Sequence, residues 1–446
     1  MAAAAVRLTQ SSLFKLIINV WRLTLPPSHL SRYLQRGIIS SSDGGGRCSG
    51  LGRPPKEGQH RFLPRTPGET SETADDFLVD YAADGVNMQG TLHILLLLHA
   101  TRNDTKNVLN LLKTANGRSV KASFGTMSSI LNIFVKNRNV DAAVEMHCII
   151  QVDYPPHCLN WGSVIDLCTL LVGSERSQDA VKILEEYLQS KVKKDINISE
   201  IRDNCRNLLT TSAAKCDYGL TKRLFGILLS GGLAEPKNFI AVPLLQCRLN
   251  SKDLPGAVEV VEELYNRYSL LPKRMEVLLL LLHHYKNTDK KIDIYGIISG
   301  GEEYKTNEGL LERLFDLMSQ RYGNVQAQHD LMFACLEAGL PNEARQVLQN
   351  LGKEVNVHEV NKMCKLYSRM ELEEPLQHFL KASEGSKVVD RCNILAALLD
   401  VYNVQNAGEK GLSVWTMMQQ EGLSPSKTFL STLSLLLAAN NLKIPF

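Results

Sequence analysis

Few residues in this chain combine the type and spacing that covalent chemistry needs. His358 and Glu359 begin a His-Glu-x-x-His pattern, in which two imidazoles one helical turn apart hold zinc and the glutamate activates water. Lys362 stands where the second His belongs, so the pattern is incomplete. His283 and His284 are adjacent and would point to different faces of a helix. The ten cysteines (Cys48, Cys148, Cys158, Cys168, Cys205, Cys216, Cys247, Cys335, Cys364, Cys392) contain no C-x-x-C pair and fall mostly in apolar stretches, as buried free thiols of a reducing compartment do. Gly44–Gly46 follows no strand and precedes no Gly-Lys-Ser/Thr, so it is not a phosphate loop. No catalytic residue, metal ligand or cofactor is expected.

The rest of the chain is built from helix-forming residues. Aromatic content is 6%, and Leu, Ala, Lys and Glu dominate, a mix that favours helices over sheets. From Leu92 onward, apolar residues at i, i+3, i+4 spacing form pairs of helices separated by short polar turns. Such units read Leu92–Lys113, Met127–Ile150, Gly162–Leu188, Leu208–Lys237, Pro243–Lys273, Leu331–Leu351 and Cys392–Ser426. A start-to-start spacing of about 35 residues recurs. Asn137-Arg138-Asn139, Cys216-Asp217 and Ala338-Gly339 supply the turns, where Gly or Asn takes a left-handed conformation or Asp caps the next helix. Ala142/Ala143, Ala180, Ala257 and Ala344 sit early in second helices and let the two helices approach closely. One hairpin cannot cover its own apolar face, so copies must stack. The expected fold is all-α, a right-handed superhelical solenoid over residues 76–446. It is expected to be irregular around 275–324 and to stop inside a helix at Phe446.

The start of the chain differs. Met1 to Ser42 contains no acid but holds Arg7, Lys15, Arg22, Arg32 and Arg36, and Leu13–Leu23 can form a cationic amphipathic helix. These features predict a mitochondrial transit peptide over 1–42. Residues 43–75, rich in Gly, Pro and Arg, read as a flexible linker. Residues 1–65 hold ten Lys/Arg against Asp43 and Glu57, which leaves 40 basic and 45 acidic residues beyond position 65. A body near −5 argues against affinity that comes mainly from neutralising phosphates. No apolar run is long enough to span a membrane.

The unit ending Gly422-Leu423-Ser424-Pro425-Ser426, with Met417-Met418 before it, resembles the pentatricopeptide consensus, as does the stretch ending Pro236-Lys237. Gly232–Tyr268, the run His329–Leu348 and the terminal Leu442–Phe446 are similar, in order, to an interior block of the leucine-rich pentatricopeptide-motif family of animal mitochondria. The resemblance implies a mitochondrial-matrix protein without catalysis that binds single-stranded RNA and supports messenger RNA stability, maturation or translation. It also implies a small RNA-recognition-motif partner and no DNA partner. The alternative is a protein-interaction scaffold of the same machinery with no RNA contact, which the acidic body favours.

In pentatricopeptide arrays one repeat reads one base through an early first-helix residue and the repeat's last residue. Early positions on this frame are His93, Ser128, Arg206, Val242, His329 and Asn393; last positions include Lys237, Lys273 and Ser426. Asn393 and Ser128 can hydrogen-bond a base edge, Val242 cannot, and Arg206 and the two histidines suit stacking or phosphate. Lys237 and Lys273 stand where Asp or Asn is usual and suit a phosphate or an acidic partner. Lys222-Arg223 reads as a solvated face or part of a phosphate stripe, whereas Glu262-Glu263 and Glu373-Glu374 read as solvent-facing charge.

Overall fold

The computed structural model of the chain describes residues 88–155, 158–189, 197–288, 292–299 and 309–446. The transit peptide and linker expected over 1–75 lie outside these residues, as does most of the run 300–309. The described residues belong to one unit spanning Ala74–Phe446. Of these residues 78% are helical and none is in a strand, so the all-α expectation holds.

Helices alternate as first and second members of hairpins. The pairs are α1 (Met88–Thr101) with α2 (Thr105–Gly117), α3 (Phe124–Lys136) with α4 (Val140–Asp153), and α5 (Trp161–Gly173) with α6 (Ser177–Gln189). Next come α7 (Ile198–Ala214) with α8 (Tyr218–Ser230) and α9 (Asn238–Asn250) with α10 (Leu254–Tyr268). Successive first helices from α1 to α9, and on to α11 (Arg274–Asn287), begin 36 to 40 residues apart. The alternation is then interrupted. The helix that packs beside α11 as its second member is α13 (Leu310–Tyr322), and the short α12 (Ile294–Ser299) lies between them in sequence. Regular pairing resumes with α14 (Asn324–Ala338) and α15 (Pro341–Leu351), α16 (Val357–Arg369) and α17 (Glu373–Ala382), α18 (Arg391–Val404) and α19 (Gly408–Gln420), followed by α20 (Lys427–Ala439).

Stacking follows the alternation. First helices pack on first helices (α1 on α3, α3 on α5, α5 on α7, α7 on α9, then α11 on α14, α16 on α18, α18 on α20). Second helices do the same at α6–α8, α10–α13 and α15–α17. The core is a continuous apolar layer in which residues such as Leu131, Leu167, Leu208, Leu245, Leu281, Leu331 and Leu398 are buried. Ala142, Ala143, Ala180, Ala257 and Ala344 are all buried where second helices begin, because a larger side chain would push the pair apart.

One turn geometry closes nearly every first helix. Asn103, Arg138, Glu175, Cys216, Lys252, Gly339, Glu371, Asn406 and Asn441 all have left-handed φ, between 52° and 73°. The next residue's N–H reaches back five residues, as Asp104 does to His99 O at 2.9 Å, Asn139 to Phe134 O at 3.0 Å and Leu340 to Cys335 O at 2.9 Å. These bonds satisfy carbonyls that a helix end leaves unpaired. That next residue is also the N-cap of the second helix, and Asp104, Asn139, Asp217 and Asp253 each accept from an amide three residues on. The three turns anticipated from sequence all use this form, with Arg138 and Cys216 rather than an Asn in the left-handed place.

Two boundaries differ from the sequence reading. The last helix ends at Ala439, so Phe446 does not lie inside a helix. Pro243 does not open a helix but lies buried inside α9, which begins at Asn238. It sits close enough to the N-terminus that its missing N–H costs one intrahelical bond without ending the helix.

The interrupted region is clamped by long-range polar contacts. Arg274 Nε of α11 donates to Asp330 Oδ2 of α14 at 2.8 Å, and the guanidinium lies 4.3 Å from the Tyr322 ring centre. Asp330 is buried. Lys286 Nζ, from the end of α11, donates to Ala338 O at 2.8 Å and so caps the C-terminus of α14.

Candidate nucleic-acid interface

The left-handed turn residue gives each first helix a fixed zero. His93, Ser128, Arg206, Val242 and His329 all lie ten positions before it, at Asn103, Arg138, Cys216, Lys252 and Gly339 respectively. Five of the six early positions read from sequence therefore share one register. Asn393 does not: it precedes Asn406 by thirteen, one helical turn earlier, and Ala396 holds the shared register in α18. In α16 that register is held by Asn361, ten before Glu371.

Asn393 is nevertheless tied to the register. Its Nδ2 donates to Asn361 Oδ1 on the preceding first helix at 3.1 Å. The same cross-helix link recurs as Asn204 Nδ2 to Asp166 Oδ1 at 2.6 Å and as His93 Nδ1 with Thr126 Oγ1 at 2.8 Å. Sequence reading missed Thr126, Asp166, Asn204 and Asn361, because such pairs lie 32 to 38 residues apart and local periodicity carries no trace of them.

The other candidates have distinct surroundings. Ser128 is half-buried on α3 and Arg206 half-buried on α7. His329 is buried at 1% exposure, its Nδ1 donating to Val325 O at 2.7 Å and its Nε2 accepting Asn356 N–H at 2.9 Å. Both ring nitrogens thus serve the fold, and the imidazole is not presented to an incoming base or phosphate. Lys273 is only 10% exposed; its ammonium sits 2.6 Å from Glu276 Oε2 and 2.5 Å from Gln246 Oε1, so its charge is already compensated. Lys237 is exposed at the start of α9 and pairs with Glu235 at 2.6 Å, beside a shallow hollow that Arg202 and Phe239 also line. Ser426 is exposed and caps α20, accepting Phe429 N–H at 3.1 Å.

The first-helix positions around this register are polar and largely uncharged over α3 to α9. Ser129 and Asn132 on α3, Thr169 on α5, Thr210 on α7 and Gln246 on α9 are half-buried or exposed. Such side chains donate to and accept from base edges and sugars. α16 departs from this, since Lys362, Lys365 and Arg369 are exposed at i, i+3, i+7 and none is ion-paired among the described residues. Their helical spacing is readable in the sequence.

Second helices carry charge of a different kind. Arg223 of α8 reaches back to Glu185 of α6 at 2.8 Å, while Lys222 pairs forward with Glu263 of α10 at 2.7 Å. Arg313 of α13 grips Glu262 of α10 through both nitrogens of its fork, and Lys410 of α19 meets Glu373 of α17 at 2.8 Å. Lys222-Arg223 is thus part of a chain of ion pairs between repeats, not a phosphate stripe. Glu262, Glu263 and Glu373 are its partners rather than free solvent-facing charge. A hollow of about 440 Å³ between α17 and α19 is lined by Glu373, Lys410, Arg391 and Glu421, which already pair with one another. Among the described residues, no three His, Cys, Asp or Glu side chains are placed to hold a metal ion. No described helix is long and apolar enough to cross a membrane.

No protein-family model matches the sequence. The chain is similar to leucine-rich PPR motif-containing proteins of mitochondria. It is 25% identical over 240 residues to the protein of that name from Rattus norvegicus, covering 54% of this chain and 16% of the relative. It is 20% identical over 377 residues to the one from Xenopus tropicalis, covering 84% and 25%. The chain thus spans a quarter or less of the length of these relatives. Among solved structures, the crystal structure of the pentatricopeptide repeat protein PPR10 from maize matches with a TM-score of 0.40 and 15% identity over 82% of this chain and 49% of that one. A structure of PPR10 in complex with an 18-nt psaJ RNA element matches with a TM-score of 0.29 and 14% identity, over 83% and 64%.

Proposed function

We propose that this chain binds single-stranded RNA in mitochondria and supports the stability, maturation or translation of mitochondrial messenger RNA, without catalysis of its own. The observation that carries the reading is the shared first-helix register. Residues His93, Ser128, Arg206 and Asn361 recur at one position of stacked helices, braced by cross-helix pairs such as Asn361–Asn393. Ile165, Val242, Ala396 and the buried His329 interrupt this row, and the hydrogen-bonding side chains that remain can meet individual bases of an extended strand. The mitochondrial setting draws support from the acid-free leader and from the names of the relatives. Matrix location and a small RNA-recognition-motif partner belong to the same proposal.

A second reading, a protein scaffold without RNA contact, is favoured by the acid excess beyond residue 65 and by a second-helix row whose cations are taken up in ion pairs. The two separate in a binding experiment with the full chain and labelled single-stranded mitochondrial RNA across a salt series. Saturable binding at low salt that weakens as salt rises is expected. No binding at 50 mM salt leaves only the scaffold.

A further inference from the structure

Charge is distributed very unevenly along the described array. Residues 88–138 carry seven Lys/Arg (Arg102, Lys106, Lys113, Arg118, Lys121, Lys136 and Arg138) against a single acid, Asp104. All seven are exposed, and none has an ion-pair partner among the described residues. Asp104 accepts from the Asn107 N–H at 3.2 Å and the Asn107 side-chain amide at 2.7 Å and lies 3.4 Å from His99 Nδ1; it is the one carboxylate set against the seven cations.

The fold gathers four of these cations. The α1–α2 and α3–α4 turns are bonded together: Asn139 Nδ2 donates to Asn103 Oδ1 at 2.9 Å and to Thr105 Oγ1 at 3.1 Å, and Asn137 Nδ2 donates to Ala100 O at 3.3 Å. Arg102, Lys106, Lys136 and Arg138 flank these bonded residues directly in sequence, so they surround one pair of adjoining turns. Lys106 and Lys113, seven apart, then share a face of α2. At two turns further along, the arginine is taken up in an ion pair. Arg176 pairs with Asp179 at 2.8 Å and Asp141 at 3.7 Å, and Arg248 pairs with Asp253 at 3.0 Å.

We propose that this paired-turn cluster is a docking site for the sugar-phosphate backbone of single-stranded RNA, separate from the first-helix register. The inference rests on the RNA-binding reading above. From α3 to α9 the register is uncharged apart from Arg206, so it can meet bases while supplying little counter-charge to phosphates there, and the leading turns hold cations that no described acid pairs with. Asn103, Asp104, Thr105 and Asn137 lie in sequence among these cations, and no Phe, Tyr or Trp is exposed in residues 88–138. Protein interfaces are instead depleted in Lys and anchored on aromatic side chains, which favours a polyanion over an acidic protein.

The test uses the full chain and fluorescence anisotropy with a labelled homopolymeric RNA from 50 to 300 mM salt. One variant carries Arg102→Gln, Lys106→Gln, Lys136→Gln and Arg138→Gln. A charge-matched control carries Lys215→Gln, Lys252→Gln, Lys353→Gln and Lys381→Gln. Circular dichroism confirms that both remain helical. Removing four phosphate contacts should lower the slope of log K against log salt by about 3 and cost at least ~10-fold in affinity at low salt. The control should change neither beyond about 2-fold. Equal loss in both variants, or none in the first, overturns the docking site while leaving RNA binding intact; failure of the unsubstituted chain to bind overturns the functional reading itself. Displacement of the RNA by poly-glutamate at equal charge concentration would assign the cluster to an acidic protein instead.

Discussion

Glu337 shows how much a single side chain can matter in an array of thin repeats. It lies on α14, and burial pushes its carboxyl up to about 7, an effect only partly offset by the Tyr367 hydroxyl that donates to it at 2.9 Å. A carboxyl whose pKa is higher folded than unfolded contributes stability below the unfolded value, near 4.5. That stability is lost as pH rises through 7. Thermal melts should show the protein losing roughly 2–3 kcal/mol between pH 4.5 and pH 8 from this group. Glu337→Gln should flatten that dependence and raise the melting temperature at pH 8. His329 is the opposite case, a residue that sequence reading offers to RNA and the structure assigns to packing. His329→Ala leaves the Asn356 N–H without its acceptor, while the Val325 carbonyl keeps its place in the helix, and should cost about 1–3 kcal/mol in urea unfolding. Lys273 likewise reads as a free repeat-end cation until Glu276 and Gln246 are seen around it.

Turns were the most legible elements, and their chemistry was the least. The breaks at Asn137–Asn139, Cys216-Asp217 and Ala338-Gly339 can be read from composition, and the buried alanines early in second helices follow from the same pattern. That Arg138, Glu175, Lys252 and Glu371 would hold left-handed φ cannot be read, because stacking imposes the conformation against the residue's own preference. Sequence alone cannot separate Asn393 from the shared register one turn on, for a related reason: the helix period repeats every 3.6 residues, and only the fixed turn residue tells one turn from the next. Replacing Arg138, Glu175, Lys252 or Glu371 by Gly relieves the left-handed strain at an exposed site. Each change should raise stability by about 0.5–1 kcal/mol in chemical denaturation. A fall in stability at all four would show that the turns are not strained.

At the scale of the molecule, each hairpin touches mainly its neighbours, so cooperativity depends on the weakest joint. The weakest joint by sequence is the run between α11 and α14, where α12 and the residues 300–308 intervene. The Arg274–Asp330 pair crosses that joint. Removing the buried Asp330 strands a half-buried guanidinium, which costs less than the ~3–5 kcal/mol of a fully buried pair but still about 2 kcal/mol. Asp330→Ala should therefore convert a single melting transition into two, one for each side of the joint, as calorimetry would record. Neither partner could be matched to the other from the sequence, since 56 residues separate them.

The clamp has a mechanical corollary. Stretched from its two ends, an array of neighbour-only contacts gives way pleat by pleat, and each pleat held only by apolar side chains yields at low force. The Arg274–Asp330 bridge and Lys286 on the α14 terminus give the interrupted region polar ties of the kind that Arg223–Glu185 and Lys410–Glu373 give the joints on either side, so it resists extension as they do.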